Sequence, residues 1–429
     1  MNEHYFVDVD EKMIEDTLDN GLKVIMIPKE NYHRVYSILT TNFGSLQLKI
    51  KDKETNEIFE LPSGGAHFLE HKMFESENGE DAFVKFMHQG ANANAFTSHF
   101  QTSYLFSASF GIKENIETLL DFVQTPYFTR EGVEKEKGII AQEIKMYLDQ
   151  PGAKAYQALM GALYPNHPAG LDIAGTVESV QNTTYEELML CYEAFYHPTQ
   201  MCLVLVGNIN PSEILELVRE NQAKKNFQSL RYERIDEPIV ESAIPKIDIN
   251  YDVTEPIIAM GIRMDGNVPK GEELLKLNLV SEVFEEMLFG PTSKNAQKWY
   301  DKGWVDNSYS VSNVVQSPIH HFQLASSTQY PQEIHREWEK VILNWKEQED
   351  LNTDHFNQVI KGKIGDLLQS FNTLEYTAYD IIDSVFNGYD YFNLLSYLKE
   401  MTFDDLIEYG ETYLSDYQTS RVILYPNGK

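Results

Sequence analysis

The stretch GGAHFLEHKMFE, Gly64 to Glu75, sets two histidines four residues apart with a glutamate just before the second. On an α-helix, positions i and i+4 share a face and i+3 lies beside them. His67 and His71 can therefore present ring nitrogens to one metal ion, with Glu70 on the adjacent edge. The competing reading is a helix that is merely polar along one side. Zinc takes neutral imidazole and, in catalytic sites, usually three protein ligands plus a water. A carboxylate just outside that ligand set can move the water's proton. The order H-x-x-E-H is the inverse of H-E-x-x-H, the inverzincin pattern.

A third ligand has to come from elsewhere. A long helix is predicted to open at Thr129, a plausible N-cap, and to run to Pro151. It carries Glu136 and Glu143 two turns apart and nearly on one face. Glu143 follows the apolar run IIAQ, so it is expected to project from the core-facing side, where a bare carboxylate needs a cation. It is the candidate third ligand. Glu136 is cast as the residue that orients a ligand or tunes the water. His88, His99, His167 and His197 are read as ordinary packing or surface residues, and His320-His321 would point to opposite faces of a strand.

Around these motifs the chain of 429 residues is 42% apolar and 24% charged, the composition of a globular protein of two or three domains. It offers no apolar run of the roughly 20 residues that a membrane helix needs. The acidic start lacks a secretory layout, so a cytoplasmic protein is expected. Cys191 and Cys202 are expected to be free buried thiols. A net charge of −31 argues against a nucleic-acid partner and would suit a cationic peptide, although solubility alone also explains it.

GLKVIMIP and RVYSILTTNFGS read as strands, and NAFTSHFQTSYLFSASF as a strand or hairpin. EDAFVKFMHQG and IKENIETLLDFVQTP read as helices. A second half repeats that order, from the strand PIIAMGIRM through the helix GEELLKLNLVSEVFEEMLFG to the last strand RVILYP. The expected division is residues 1–222, a polar linker at 223–246, and residues 247–429.

HFLEH followed at a distance by Glu143 resembles the M16 zinc metallopeptidases, the insulinase, pitrilysin and mitochondrial-processing-peptidase group. TLDNGLKV, GANANAFTS, VEKEKGIIAQEI and YHPTQMCLVLVGNI match further family segments in the right order. The bacterial short-chain paired members look most similar. The resemblance implies an α+β fold of two similar domains, each a mainly antiparallel sheet with packed helices, forming half of a peptidase clamshell. It implies a zinc endopeptidase acting on peptides or unfolded segments, with His67, His71 and Glu143 on the metal and Glu70 as the base. Asn94, Ala95 and Phe96, before Thr97, match the edge at which the family receives substrate as an added strand.

The second half departs from the ligand pattern, having no histidine from Pro198 to Ile319. It also has no arginine between Arg263 and Arg336, where active clamshells supply an Arg and a Tyr to the developing oxyanion. Tyr309 fits the tyrosine, but only Lys298 and Lys302 stand near the arginine's place, and lysine lacks the planar fork. A sister subunit supplying the Arg/Tyr pair is therefore expected, with a homodimer using Tyr309 as the variant. The rival reading is a catalytically silent binding or scaffold subunit.

Overall fold

The computed structural model describes residues 1–7, 9–76 and 82–428. It divides into two compact units. The first comprises Met1–Lys145, Asp172–Glu237 and Ser370–Phe386, and the second Met146–Leu171, Pro238–Gln369 and Asn387–Lys429. The units are thus not consecutive halves of the chain. The helix Pro151–Leu163 packs in the second unit, on the strands Ile257–Met264 and Tyr417–Pro426, whereas the segment 370–386 belongs to the first.

The first unit is built on a seven-stranded sheet. From one edge to the other its strands are Asn2–Phe6, Glu11–Thr17, Lys23–Pro28, Met201–Gly207, Val35–Thr41, Thr102–Ala108 and Ala91–Thr97. All neighbours are antiparallel except Lys23–Pro28 beside Met201–Gly207. The central strands VYSILTT and MCLVLVG are buried at every position, as strands covered on both faces must be. The edge strand ANANAFT instead leaves Asn92 and Asn94 in solvent. Cys191 and Cys202 are free and buried.

The second unit repeats five of these strands in the same spatial order: Lys246–Tyr251, Tyr417–Pro426, Ile257–Met264, Ile319–Ser327 and Ser310–Gln316. Its one parallel pair is again the first two of that series. The core there is Phe284, Met287, Leu288, Trp299, Trp338 and their neighbours. This α+β duplication fits the order of elements read from the sequence.

Part of the expected linker is structured. Tyr232–Arg234 pairs with Lys49–Asp52, which pairs in turn with Ile58–Glu60. Arg231 anchors this small sheet by donating from Nε to the buried Asp52 carboxylate at 2.7 Å. Of the helix expected over EDAFVKFMHQG, Ala82–His88 is helical, and Glu80 and Asp81 lie outside the described residues. No helix among the described residues is long and apolar enough to cross a membrane.

Candidate metal and catalytic site

The motif occupies the helix Gly65–Met73. Gly64, just before it, has φ of 84°, and a Cβ there would collide with the Ala174 carbonyl oxygen. That turn lets the helix start hard against the chain at Ala174. Phe68, Leu69 and Met73 fix the helix in the core, which leaves His67, Glu70 and His71 along its polar edge. The facing helix, Arg130–Leu148, buries Val133, Lys137, Ile140, Ala141 and Ile144. Glu136 and Glu143 flank that stripe and are half-buried.

The two helices converge at their carboxylates and imidazoles. His67 Nε2 lies 3.8 Å from Glu143 Oε1, and His71 Nε2 lies 3.4 Å from Glu143 Oε2. One donor atom from each of these three residues falls within 4.8 Å of the other two. Zinc would need only a slight contraction of this triangle, given bonds of about 2.0–2.1 Å. His67 Nδ1 is buried with no hydrogen-bond partner among the described residues. Two imidazoles and a carboxylate are the donor types of a catalytic zinc site, so the residues present fit such an ion.

The remaining residues act on these three. His71 Nδ1 sits 3.1 Å from Glu136 Oε1, which can fix the ring's tautomer and orientation. Lys72, wholly buried, lies 3.7 Å from the other Glu136 oxygen and also pairs with Glu75. Glu70 is 8% exposed, and Thr97 of the edge strand donates its hydroxyl to Glu70 Oε2 at 2.6 Å. The sequence reading did not find the roles of Lys72 and Thr97. A lysine inside an otherwise apolar helix face was the available signal for the first; a contact across the sheet left none for the second.

Electrostatics separates the members. Burial, helped by the His71 charge, lowers His67 to about 3. Burial also disfavours charge on His71, but the Glu136 hydrogen bond and the Glu143 and Glu70 charges outweigh it, so His71 is raised. The hydrogen bond with His71 holds Glu136 below the usual carboxylate range. Burial raises Glu70, with the Glu143 charge adding to it.

A cavity of about 720 Å³ opens beside Glu70 and His71, with Asn94, Ala95, Phe74 and Glu136 in its wall. Asn94 and Ala95 line it from the last strand of the sheet. Phe96 instead packs its ring 5.3 Å from that of Tyr379. Tyr309 belongs to the second unit. There its hydroxyl donates to the Phe289 carbonyl at 2.9 Å and its ring stacks on Trp338. Lys298 pairs with Glu337 at 2.6 Å, and Lys302 lies over the Trp304 ring. Of the histidines read as packing or surface residues, His99 faces Ser45 at 2.8 Å, His167 caps Ala169, His197 accepts from the Thr199 amide, and His88 is exposed. His320 meets Ser281 and Tyr409 while His321 meets Tyr164, as opposite faces require.

These features define two α+β units, the first carrying a candidate metal site, and comparison with known proteins gives the family. Residues 30–177 match Insulinase (Peptidase family M16), and residues 182–362 match the Peptidase M16 inactive domain. The chain belongs to peptidase family M16. It is 36% identical over 398 residues to the uncharacterized zinc protease YmfH of Bacillus subtilis, with 92% of each chain covered. An M16-like peptidase from Alicyclobacillus acidocaldarius has the same architecture, with 31% identity, a TM-score of 0.92, and 98% of this chain and 100% of that one covered. A protease from Helicobacter pylori, at 18% identity and a TM-score of 0.78 over 97% of this chain and 100% of its own, shares the fold.

Proposed function

We propose that this chain is the catalytic subunit of a zinc-dependent endopeptidase, with His67, His71 and Glu143 as metal ligands and Glu70 as general base. The observation that carries the proposal is the convergence of those three donor groups beside a buried glutamate. Names of relatives support it, since the Bacillus subtilis relative is called a zinc protease. Bound zinc supplies Lewis acidity, polarising the scissile carbonyl and making an attacking water more acidic.

The chain's own residues do the rest. Glu70 takes the proton of the attacking water and returns it to the departing nitrogen. Its raised pKa brings it nearer to working pH, which suits both halves of that transfer. The Thr97 hydroxyl holds one Glu70 oxygen, leaving the other to face the water. Glu136 keeps His71 Nδ1 occupied, so that Nε2 faces Glu143. Among the described residues the strand Ala91–Thr97 is the last of its sheet, so main-chain hydrogen bonds would hold an extended peptide there with little sequence preference.

The proposal includes a sister M16-like subunit that contributes an arginine and a tyrosine to the oxyanion. It rests on the arginine gap between Arg263 and Arg336. A homodimer would have to use Tyr309, whose hydroxyl must first leave the Phe289 carbonyl. The second reading is a silent scaffold subunit; the inactive-domain match over residues 182–362 is the observation nearest to it, though that match covers only the half without the candidate ligands. Metal analysis with a quenched-peptide assay, with and without chelator and for Glu70→Gln, separates the two. Stoichiometric zinc and chelator-sensitive cleavage, alone or with a co-purifying sister chain, support the peptidase. Zinc-free protein that never cleaves supports the scaffold.

A further inference from the structure

The second unit contains a cavity of about 450 Å³ that the proposed peptidase chemistry does not use. It lies against the helices Glu272–Phe289 and Lys294–Asp301 and the start of the strand Ser310–Gln316. Its charge is one-sided: Glu282, Glu285, Glu286 and Asp306 line it, against one lysine, Lys363.

Most of these groups already have partners. Lys363 Nζ lies 3.2 Å from Glu282 Oε2. Glu286 accepts from the Thr292 hydroxyl at 2.8 Å, and Asp306 accepts from the Ser308 amide at 2.8 Å. Glu285 differs. It is only 7% exposed, and its Oε1 has no hydrogen-bond partner among the described residues. A buried carboxyl oxygen left in that state is unfavourable until a donor reaches it.

The walls narrow the class of donor. Tyr300, which is more than half exposed, supplies an aromatic ring of the kind that attracts cations, and Pro291, Val305 and Val311 offer apolar surface for a methylene stem. A bare divalent ion fits poorly. Among the described residues, only His67, His71 and Glu143 bring three donor atoms close enough to share one. We infer that this cavity binds an organic cation carrying a guanidinium or alkylammonium group, with Glu285 as its buried anionic contact. Burial and the Glu282 and Glu286 charges push the Glu285 carboxyl well above the usual range, a strain that an arriving positive charge relieves. The residues all belong to the second unit, so the inference stands apart from the metal proposal.

Titration calorimetry on the full chain tests it, with arginine amide as probe and citrulline amide as its uncharged match. Arginine amide should bind one to one, and citrulline amide should not bind. Glu285→Gln should weaken binding roughly thirtyfold or more, as for loss of one partner of a buried charge pair. Tyr300→Ala, at a position 55% exposed where folding is not at issue, should weaken it about two- to fivefold. Glu408→Gln, an exposed charge away from the cavity, should bind as the parent does. The same arginine inside a Gly-Ser peptide distinguishes the source: tighter binding assigns a peptide side chain, and weaker binding assigns a free small cation. Equal binding of the two amides, or unchanged binding by Glu285→Gln, overturns the inference.

Discussion

Between its strand Val35–Thr41 and its edge strand Ala91–Thr97, the first unit places the helix carrying His67, Glu70 and His71. At the corresponding place in the second unit, between Ile257–Met264 and Ser310–Gln316, stands the helix Glu272–Phe289. It carries Ser281, Glu282, Glu285 and Glu286 and no histidine. Each helix is answered from a later one. In the first unit Glu143 faces both imidazoles, and in the second Lys363 faces Glu282. Apolar packing holds both helices, through Phe68, Leu69 and Met73 in one and Phe284, Met287 and Leu288 in the other. The shared backbone therefore does not dictate the chemistry. A few polar identities on one helix edge do.

Four substitutions probe that contrast, in falling order of effect. His67→Ala removes one of three metal donors, so metal analysis should find the zinc lost and a peptide assay no chelator-sensitive cleavage. Retained stoichiometric zinc would mean the imidazole is not a ligand. Glu70→Gln should keep zinc while turnover falls by roughly 10²–10⁴, the range for a lost general base. Cleavage at the parent rate would remove Glu70 from the mechanism. Glu136→Gln should weaken zinc binding about 10–100-fold with the fold intact by circular dichroism.

That third variant also has a pH signature. His71 is raised above the ordinary histidine value of 6.5, so a proton competes with the metal there. Zinc affinity of the parent should therefore be full at higher pH and decline as pH falls through the region above 6.5. Glu136→Gln removes the hydrogen bond that raises His71, so the decline should begin at lower pH; a shift upward would contradict the assignment. The smallest effect belongs to Lys363→Ala. Its ion pair with Glu282 has side chains 30% and 35% exposed, so denaturant unfolding should change by less than about 1 kcal/mol and zinc content not at all.

The convergence of His67, His71 and Glu143 was legible because helical periodicity turns a four-residue spacing into a shared face, and because an apolar run marks which way Glu143 points. Duplication was legible for the same reason, as strands such as VYSILTT and PIIAMGIRM are continuous buried runs. What the pattern hid was structure made from exposed residues. The strands Asn2–Phe6 and Glu11–Thr17 are charged and mostly in contact with solvent, so they lack the alternation that signals a strand. The exchange of Pro151–Leu163 and 370–386 between units was equally hidden. Lys29 bonding to the Phe371 carbonyl, and Arg34 pairing with Glu375 at 2.6 Å, join residues over 300 positions apart that no local signal connects.

Zinc-edge X-ray absorption on zinc-loaded protein, paired with anomalous scattering from its crystals, tests the central claim most directly. One zinc ion should appear, with two nitrogen ligands and a carboxylate oxygen at about 2.0–2.1 Å, between the helices Gly65–Met73 and Arg130–Leu148. A metal found elsewhere, or one coordinated without His67, His71 and Glu143, would contradict it.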